Sequence, residues 1–213
     1  IMDFISDKLT EYLNINSEKE PEILSRLSKE THQKILQPRM LSGHFQGRFL
    51  SLISKIKSPE KILEIGTYTG YSTICLAEGL SKNGKIDTID KNEELIKIQN
   101  KYFDESGYRN NIIQHTGDAL DILKNLNEKY DIIFIDADKE NYINYFKKVS
   151  NKLSENGIII SDNVLWSGKV LDSKQKDEET STLVEFNRMI NQDKRFNSII
   201  IPIRDGISIS RLV

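Results

Sequence analysis

The stretch Ile62-Leu63-Glu64-Ile65-Gly66-Thr67-Tyr68-Thr69-Gly70-Tyr71-Ser72 sets the fold class. A short apolar run ends at Gly66, turns through two glycines and opens into a helix, which is the first half of a βα unit. The same grammar recurs downstream. Lys85-Ile86-Asp87-Thr88-Ile89 ends at Asp90, Asn111-Ile112-Ile113-Gln114-His115 ends near Gly117-Asp118, Tyr130 to Ile135 ends at Asp136, and Gly157-Ile158-Ile159-Ile160-Ser161 ends at Asp162. Helix-length amphipathic stretches separate these runs, so the pattern predicts repeated βα units and a parallel sheet covered on both faces.

The chain closes differently. A helical stretch from Thr182 to Asn191 leads to Asn197–Ile203 and then Gly206–Val213, joined by Arg204-Asp205-Gly206. So short a connection cannot be a parallel crossover, so these two strands form a hairpin and one strand of the sheet is reversed. Ahead of the alternation, apolar residues recur at helical spacing three times: Phe4, Ile5, Leu9, Tyr12 and Leu13; Ile23, Leu24 and Leu27; Phe45, Phe49, Leu50, Ile53 and Ile56. The expectation is one domain over 1–213, with 1–57 a helical extension and lid and 58–213 the α/β core.

Composition narrows the possible roles. The 213 residues carry 30 Lys and Arg against 32 Asp and Glu, a formal charge of −2, which argues against binding nucleic acid by phosphate neutralisation alone. A single cysteine, Cys75, excludes an internal disulfide and a cysteine-based zinc site, and its apolar helical neighbours predict a buried role. A cytoplasmic home is expected, with no membrane span and no secretory signal.

Ligands of open α/β sheets bind at the carboxyl ends of the strands. The first turn has the spacing G-x-x-x-G, neither a dinucleotide fingerprint nor a P-loop. Asp90 follows about 24 residues past Gly66, where an acid can bind ribose hydroxyls, so the two features point to an adenosine cofactor without a pyrophosphate. A plain strand-to-helix turn would also use two glycines. The ends of the next strands, Ile135-Asp136-Ala137-Asp138-Lys139 and Ser161-Asp162-Asn163, bring two carboxylates and an amide oxygen toward one point. Taken alone, Asp136 reads rather as a strand-end cap, Asp162-Asn163 as a turn and Lys139 as a surface residue. Together they leave two carboxylates that repel unless a cation joins them, and an all-oxygen set suits Mg²⁺, with Mn²⁺ or Ca²⁺ as alternatives, rather than zinc.

At these residues the chain resembles the cation-dependent, S-adenosylmethionine-dependent O-methyltransferases that include the catechol and caffeoyl-CoA enzymes, in their small bacterial form. The matching segments are Leu63 to Ser72, Ile135 to Lys139, Ser161-Asp162-Asn163-Val164-Leu165-Trp166-Ser167-Gly168-Lys169-Val170, and Pro202-Ile203-Arg204-Asp205-Gly206-Ile207. The resemblance implies a Rossmann-like class I methyltransferase fold, a seven-stranded, mostly parallel sheet with an antiparallel last strand, preceded by extra helices. It implies Asp136, Asp162 and Asn163 as metal ligands and Lys139 as the catalytic base. Glu64, Gly66, Ser72, Asp90, Ala119 and Asp136 would line the cofactor site, and Met40 would touch the cofactor from the lid, unless it is an ordinary core methionine. Asp205 would face the strand-end cleft and the acceptor, although turn chemistry alone also explains Asp-Gly, and Trp166 reads either as stacking on an aromatic acceptor or as an indole packed under the loop.

The function expected is methyl transfer from S-adenosylmethionine to a hydroxyl of a vicinal pair on a small hydroxylated aromatic acceptor. The polar stretch Trp166 to Ser181 forms a natural lid over it. Two other readings stay open: a tRNA hydroxyuridine acceptor, held by Lys34, Arg39, Arg48, Lys169, Lys174 and Lys176, and a non-catalytic adenosine-binding module. The amphipathic amino-terminal helices also predict a homodimer. His32, His44 and His115 end no strand beside the metal segments, and Tyr142 and Arg188 read as helix surface.

Overall fold

A computed structural model describes residues 6–172, 174 and 177–213. Phe4 and Ile5 of the first expected helix, and Ser173, Gln175 and Lys176 of the expected lid, lie outside the described residues. The chain divides into two compact units that part between Ala119 and Leu120.

The first unit, from Asp7 to Ala119, holds α1 (Asp7–Ile15), α2 (Glu22–Lys34), α3 (His44–Lys57), β1 (Lys61–Ile65), α4 (Tyr71–Ala77), β2 (Lys85–Asp90), α5 (Ile96–Ser106) and β3 (Ile112–Thr116). Its strands lie parallel in the order β3-β2-β1, with Glu64 beside Thr88 and Asp90 beside Thr116. β1 is buried on both faces beyond its first residue, which is why it reads as a continuous apolar run rather than an alternation.

The second unit follows from Leu120, with α6 (Ala119–Asn125) at the junction. It contains β4 (Tyr130–Ile135), α7 (Tyr142–Ser150), β5 (Leu153–Ser161), α8 (Glu178–Gln192), β6 (Phe196–Ile201) and β7 (Ile207–Leu212). β4 pairs parallel with β5, and β7 lies antiparallel between β5 and β6. The hairpin expected from Arg204-Asp205-Gly206 is present, and the reversed strand is the last in the chain. β5 starts four residues ahead of the apolar run at Gly157, because Tyr130 already pairs with Leu153 before the register shifts. Seven strands with a reversed last strand make the mostly parallel α/β architecture that was expected.

The amino-terminal helices form where the periodicity placed them, but α3 buries a different face. Gln46, Gly47, Arg48, Leu50, Ser51 and Ser54 point inward, while Leu52 and Ile56 are 55% and 73% exposed. The inward polar face is satisfied by ions and hydroxyls. Arg48, 4% exposed, grips Glu78 with two bonds of 2.9 and 2.8 Å, and Ser51 Oγ donates to the same carboxylate at 2.6 Å. Lys55 reaches Glu78 at 3.3 Å and Glu18, from the α1–α2 connection, at 3.4 Å. Burial opposes the charge on Glu78, and the bonds from Arg48 and Ser51 overcome it, holding the carboxyl below its ordinary value. Arg48 is therefore a structural cation and not part of an exposed basic patch. Among the described residues no helix is long and apolar enough to cross a membrane.

Removing one side of a buried pair strands the other charge. Arg48→Met should lower unfolding free energy by about 3 kcal/mol in urea titrations at neutral pH. Because Glu78 titrates below its ordinary value when folded, the pair's contribution is complete above that value and fades as pH falls through the folded one. The stability gap between parent and variant should therefore narrow in acid.

Candidate active site

In the first unit the glycine turn is built around a buried carboxylate. Gly66 leaves β1 at φ 104° with its N–H on Ile89 O at 2.9 Å, and Tyr68 follows in the left-handed region at φ 49°. Gly70, at φ 91°, could carry no side chain, since a Cβ there would lie 2.4 Å from the Phe103 ring. Glu64 is fully buried on β1. Its oxygens accept from Ser72 Oγ at 2.6 Å, from Thr88 Oγ1 at 2.6 Å and from Thr73 Oγ1. A buried charge is tolerable only when hydrogen-bonded in this way, and the three hydroxyls tie the start of α4 to the sheet.

Asp90 at the end of β2 holds the same turn from the other side. Its Oδ2 accepts from Tyr68 N at 2.6 Å and its Oδ1 from Asn92 N at 2.8 Å, while Gln99 Nε2 donates to Tyr68 O at 2.7 Å. The strained Tyr68 is thus bonded at both its N–H and its C=O, and its hydroxyl donates to Gln37 O at 2.9 Å. Met40 lies on the 3₁₀ turn Pro38–Met40 and is 55% exposed, which excludes the ordinary core role. Ala119 follows β3, two residues beyond Gly117 at φ 141°.

In the second unit, Ile135 of β4 pairs with Ser161 of β5, so Asp136 and Asp162 are the next residues on two adjacent strands. Asp162 N donates to Ile135 O at 2.9 Å, continuing the ladder past the strand ends. Asp162 is 2% exposed, and its Oδ1 accepts from Asn163 N at 2.7 Å. Lys139, 6% exposed, donates from Nζ to Asp136 Oδ1 at 3.1 Å and to Tyr142 Oη at 2.6 Å. Tyr142 Oη in turn donates to Asp162 O at 2.8 Å. The tyrosine lies fully buried at the start of α7, with Phe186 of α8 edge-on at 5.5 Å. Burial raises its hydroxyl well above the ordinary value, and the nearby Asp136, Asp162 and Asp138 add to the effect.

Beyond Asp162 the backbone is strained. Asn163, Trp166 and Ser167 take φ values of 57°, 46° and 53°. Asn tolerates this region, but for other residues it costs roughly 1–2 kcal/mol each. The hairpin turn pays this cost: Val164 N donates to Gly206 O at 3.1 Å, Leu165 N to Asp205 O at 2.9 Å, and Ser167 N to Asp205 Oδ1. Gly206 stands where any Cβ would strike Leu165. Burial pushes the Asp205 carboxyl above its ordinary value, while Ser167 N–H, Lys139 and Arg204 pull it back. Nζ of Lys139 and of Lys169 each lie 5.9 Å from the centre of the Trp166 ring, whose Nε1 is buried with no acceptor among the described residues.

The expected residues therefore fall into two groups. Asp136, Lys139, Asp162, Asn163, Trp166 and Asp205 gather at the β4, β5 and hairpin ends of the second unit, and Met40, Glu64, Gly66, Ser72, Asp90 and Ala119 belong to the first. Tyr142 was expected on the helix surface. It is core, because the Lys-x-x-Tyr spacing folds the ring back beneath Lys139. Thr73, Thr88 and Gln99 carried no signal of their own, although parallel register makes Thr88 the natural neighbour of Glu64. His32 and His44 bond to the backbone oxygens of Ser28 and Glu18, and His115 to Asp87, so all three have structural partners. Cys75 is buried, and burial pushes its thiol up, as expected for an inert residue. Of the expected basic patch, Arg48 is buried and Lys34 is paired with Glu30 at 2.8 Å.

The sequence pattern of the O-methyltransferase family matches residues 14–213. The chain belongs to that family. Caffeoyl-CoA O-methyltransferase 2 of Eucalyptus globulus is 34% identical over 98% of this chain and 90% of its own length, and caffeoyl-CoA O-methyltransferase 5 of Nicotiana tabacum is 32% identical over 98% and 92%. Among solved structures, the Bacillus cereus O-methyltransferase in complex with SAH superimposes with a TM-score of 0.89 at 29% identity, covering 97% of both chains. Family membership and fold thus agree with the strand-end motifs.

If Tyr142 anchors Lys139, Tyr142→Phe should keep the ring packed on Phe186 but remove the lysine's 2.6 Å partner and the bond to Asp162 O, leaving Asp136 as the lysine's remaining hydrogen-bond partner among the described residues. Urea unfolding should register a loss of about 1–3 kcal/mol, and O-methyl transfer should slow about tenfold, equivalent to about 1.4 kcal/mol in the barrier.

Proposed function

We propose that this O-methyltransferase moves the sulfonium methyl group of S-adenosylmethionine to one hydroxyl of a vicinal pair on a small aromatic acceptor of the catechol or caffeoyl kind, with a divalent cation chelating the acceptor. The observation that carries the reading is the grouping of Asp136, Lys139, Asp162 and Asn163 at two neighbouring strand ends. The solved relative holding SAH supports the cofactor, and the plant relatives named for caffeoyl-CoA support the acceptor class.

The donor set fits a hard cation. Two carboxylates and an amide supply oxygen only, few enough to leave positions for an acceptor, which suits Mg²⁺, or Mn²⁺ or Ca²⁺. Asp136, Asp162 and Asn163 would hold the ion. When bound, it would stabilise an acceptor oxyanion and fix its direction as a Lewis acid.

The remaining work falls to the chain. Lys139 Nζ, fixed between Asp136 Oδ1 and Tyr142 Oη, is the group assigned to the proton leaving the attacked hydroxyl. Trp166, with its indole beside that nitrogen, offers a flat apolar face to the acceptor ring. Asp90 retains lone pairs for ribose hydroxyls while its N–H bonds hold the turn, and Gly66 lets the backbone lie close to the ligand. Glu64 and Ser72 brace that turn, with Ala119 and Met40 completing the cofactor set. Methyl transfer is an in-line displacement, so fixing the acceptor oxygen is the main contribution these residues make.

A methylation assay with caffeate or catechol and labelled S-adenosylmethionine tests the reading. Turnover should vanish with EDTA and return with Mg²⁺, and Asp162→Ala should lose at least about a hundredfold, or roughly 2.7 kcal/mol. Full turnover under EDTA would rule the cation mechanism out. Exposed apolar side chains on α1 (Leu9, Tyr12, Ile15) and α3 (Leu52, Ile56) support the expected homodimer. Light scattering should give twice the mass of one chain, and Tyr12→Glu with Ile15→Glu should shift it to the monomer.

A further inference from the structure

The resemblance places Asp205 among the acceptor contacts, but its bonds describe another task. The segment from Asn163 to Gly168 folds back on itself with two internal turns, Trp166 N to Asn163 O at 3.2 Å and Gly168 N to Leu165 O at 2.9 Å. Between them stands the Ser167 N–H, whose acceptor is supplied by the Asp205 side chain. Trp166 and Ser167 are consecutive left-handed residues, a geometry that two non-glycine residues do not hold unaided. Among the described residues, the other hydrogen bonds from outside the segment are made at its start: Gly206 O and Asn187 Nδ2 at Val164, and Asp205 O at Leu165.

We infer that Asp205 is a positioning residue, whose carboxylate clamps Ser167 and thereby fixes the Trp166 indole over Lys139. The clamp rests on the functional reading above only for its catalytic consequence. The Asp205 carboxylate accepting the Ser167 N–H ties the hairpin to the middle of this segment, and Gly206 admits Leu165 close to the hairpin. The centre of the Trp166 ring then lies 5.9 Å from Lys139 Nζ. Loss of the clamp releases Trp166 and leaves Lys139, Asp136 and Asp162 in place, because their bonds run through Tyr142 and β5.

Trp166 is the chain's single tryptophan, so its fluorescence reports this segment alone. In Asp205→Ala, acrylamide quenching of that emission should rise about twofold or more, and kcat/KM for a catechol should fall about tenfold, the scale expected for misplacement near the chemistry rather than removal of a reacting group. Affinity for S-adenosylmethionine, measured by calorimetry, should stay within about twofold, since the clamp touches no residue assigned to the cofactor. Asp205→Asn keeps an oxygen for the Ser167 N–H and should restore both readouts to near the parent chain. Unchanged quenching in Asp205→Ala overturns the clamp, and an Asp205→Asn variant as impaired as Asp205→Ala overturns it in favour of a charged contact with the acceptor. Should Asp205→Ala fail to fold, hydrogen exchange on the unsubstituted chain decides: a slow Ser167 amide, like that of Leu165, upholds the clamp and a fast one contradicts it. Quenching and exchange need no turnover, so a chain inactive on catechols would defeat the proposed function without deciding the clamp.

Discussion

Pairing of Ile135 with Ser161 is the constraint on which the second unit's chemistry depends. Parallel neighbours lie about 4.8 Å apart, so the residues just beyond that pair must share a small volume. Here both are aspartates, one of them 2% exposed. Two carboxylates so placed repel, and the chain offsets this with Lys139, drawn inward onto Asp136. The cation of the proposed function would share in that compensation. A register slip of one residue would turn one aspartate to the opposite face of the sheet and dissolve the arrangement. The apolar β4 and β5 interiors, buried on both faces, keep that register in place.

Around this point the structure invests in holding polar groups still. Lys139, Tyr142 and Asp162 form one chain of hydrogen bonds, the left-handed Asn163–Gly168 segment is tied down by the hairpin, and α8 adds the Asn187 bond to Val164 O. The first unit follows the same logic with different parts. Glu64 is sealed by three hydroxyls, and Asp90 holds the strained Tyr68, so the glycine turn is fixed before any ligand arrives. Such preorganisation suits a reaction whose main demand is alignment.

Much of this was legible in the sequence, because it depended on local grammar. Each β-branched run ended at the acid or glycine that the structure places at a strand end, and the short Arg204-Asp205-Gly206 connection required a reversed strand. Features that depend on what packs against a residue from elsewhere in the chain were not legible. The periodicity of α3 located the helix but not its buried face, since Arg48 and Ser51 turn inward only because Glu78 of the following helical region awaits them. Tyr142 looked like helix surface until the turn at Lys139–Asn141 folded it under the lysine. The bond that the Asp205 carboxylate accepts from Ser167 N–H likewise carried no signal in the sequence, where the residue read as an acceptor contact or a turn aspartate.

Binding of Mn²⁺, followed by electron paramagnetic resonance as the free-ion signal disappears during titration, isolates the cation from turnover, cofactor and acceptor alike. The proposed function predicts one ion bound per chain, competed away by Mg²⁺ and lost in Asp136→Ala with Asp162→Ala. Undiminished binding in that double variant, or no binding by the parent chain, would contradict it.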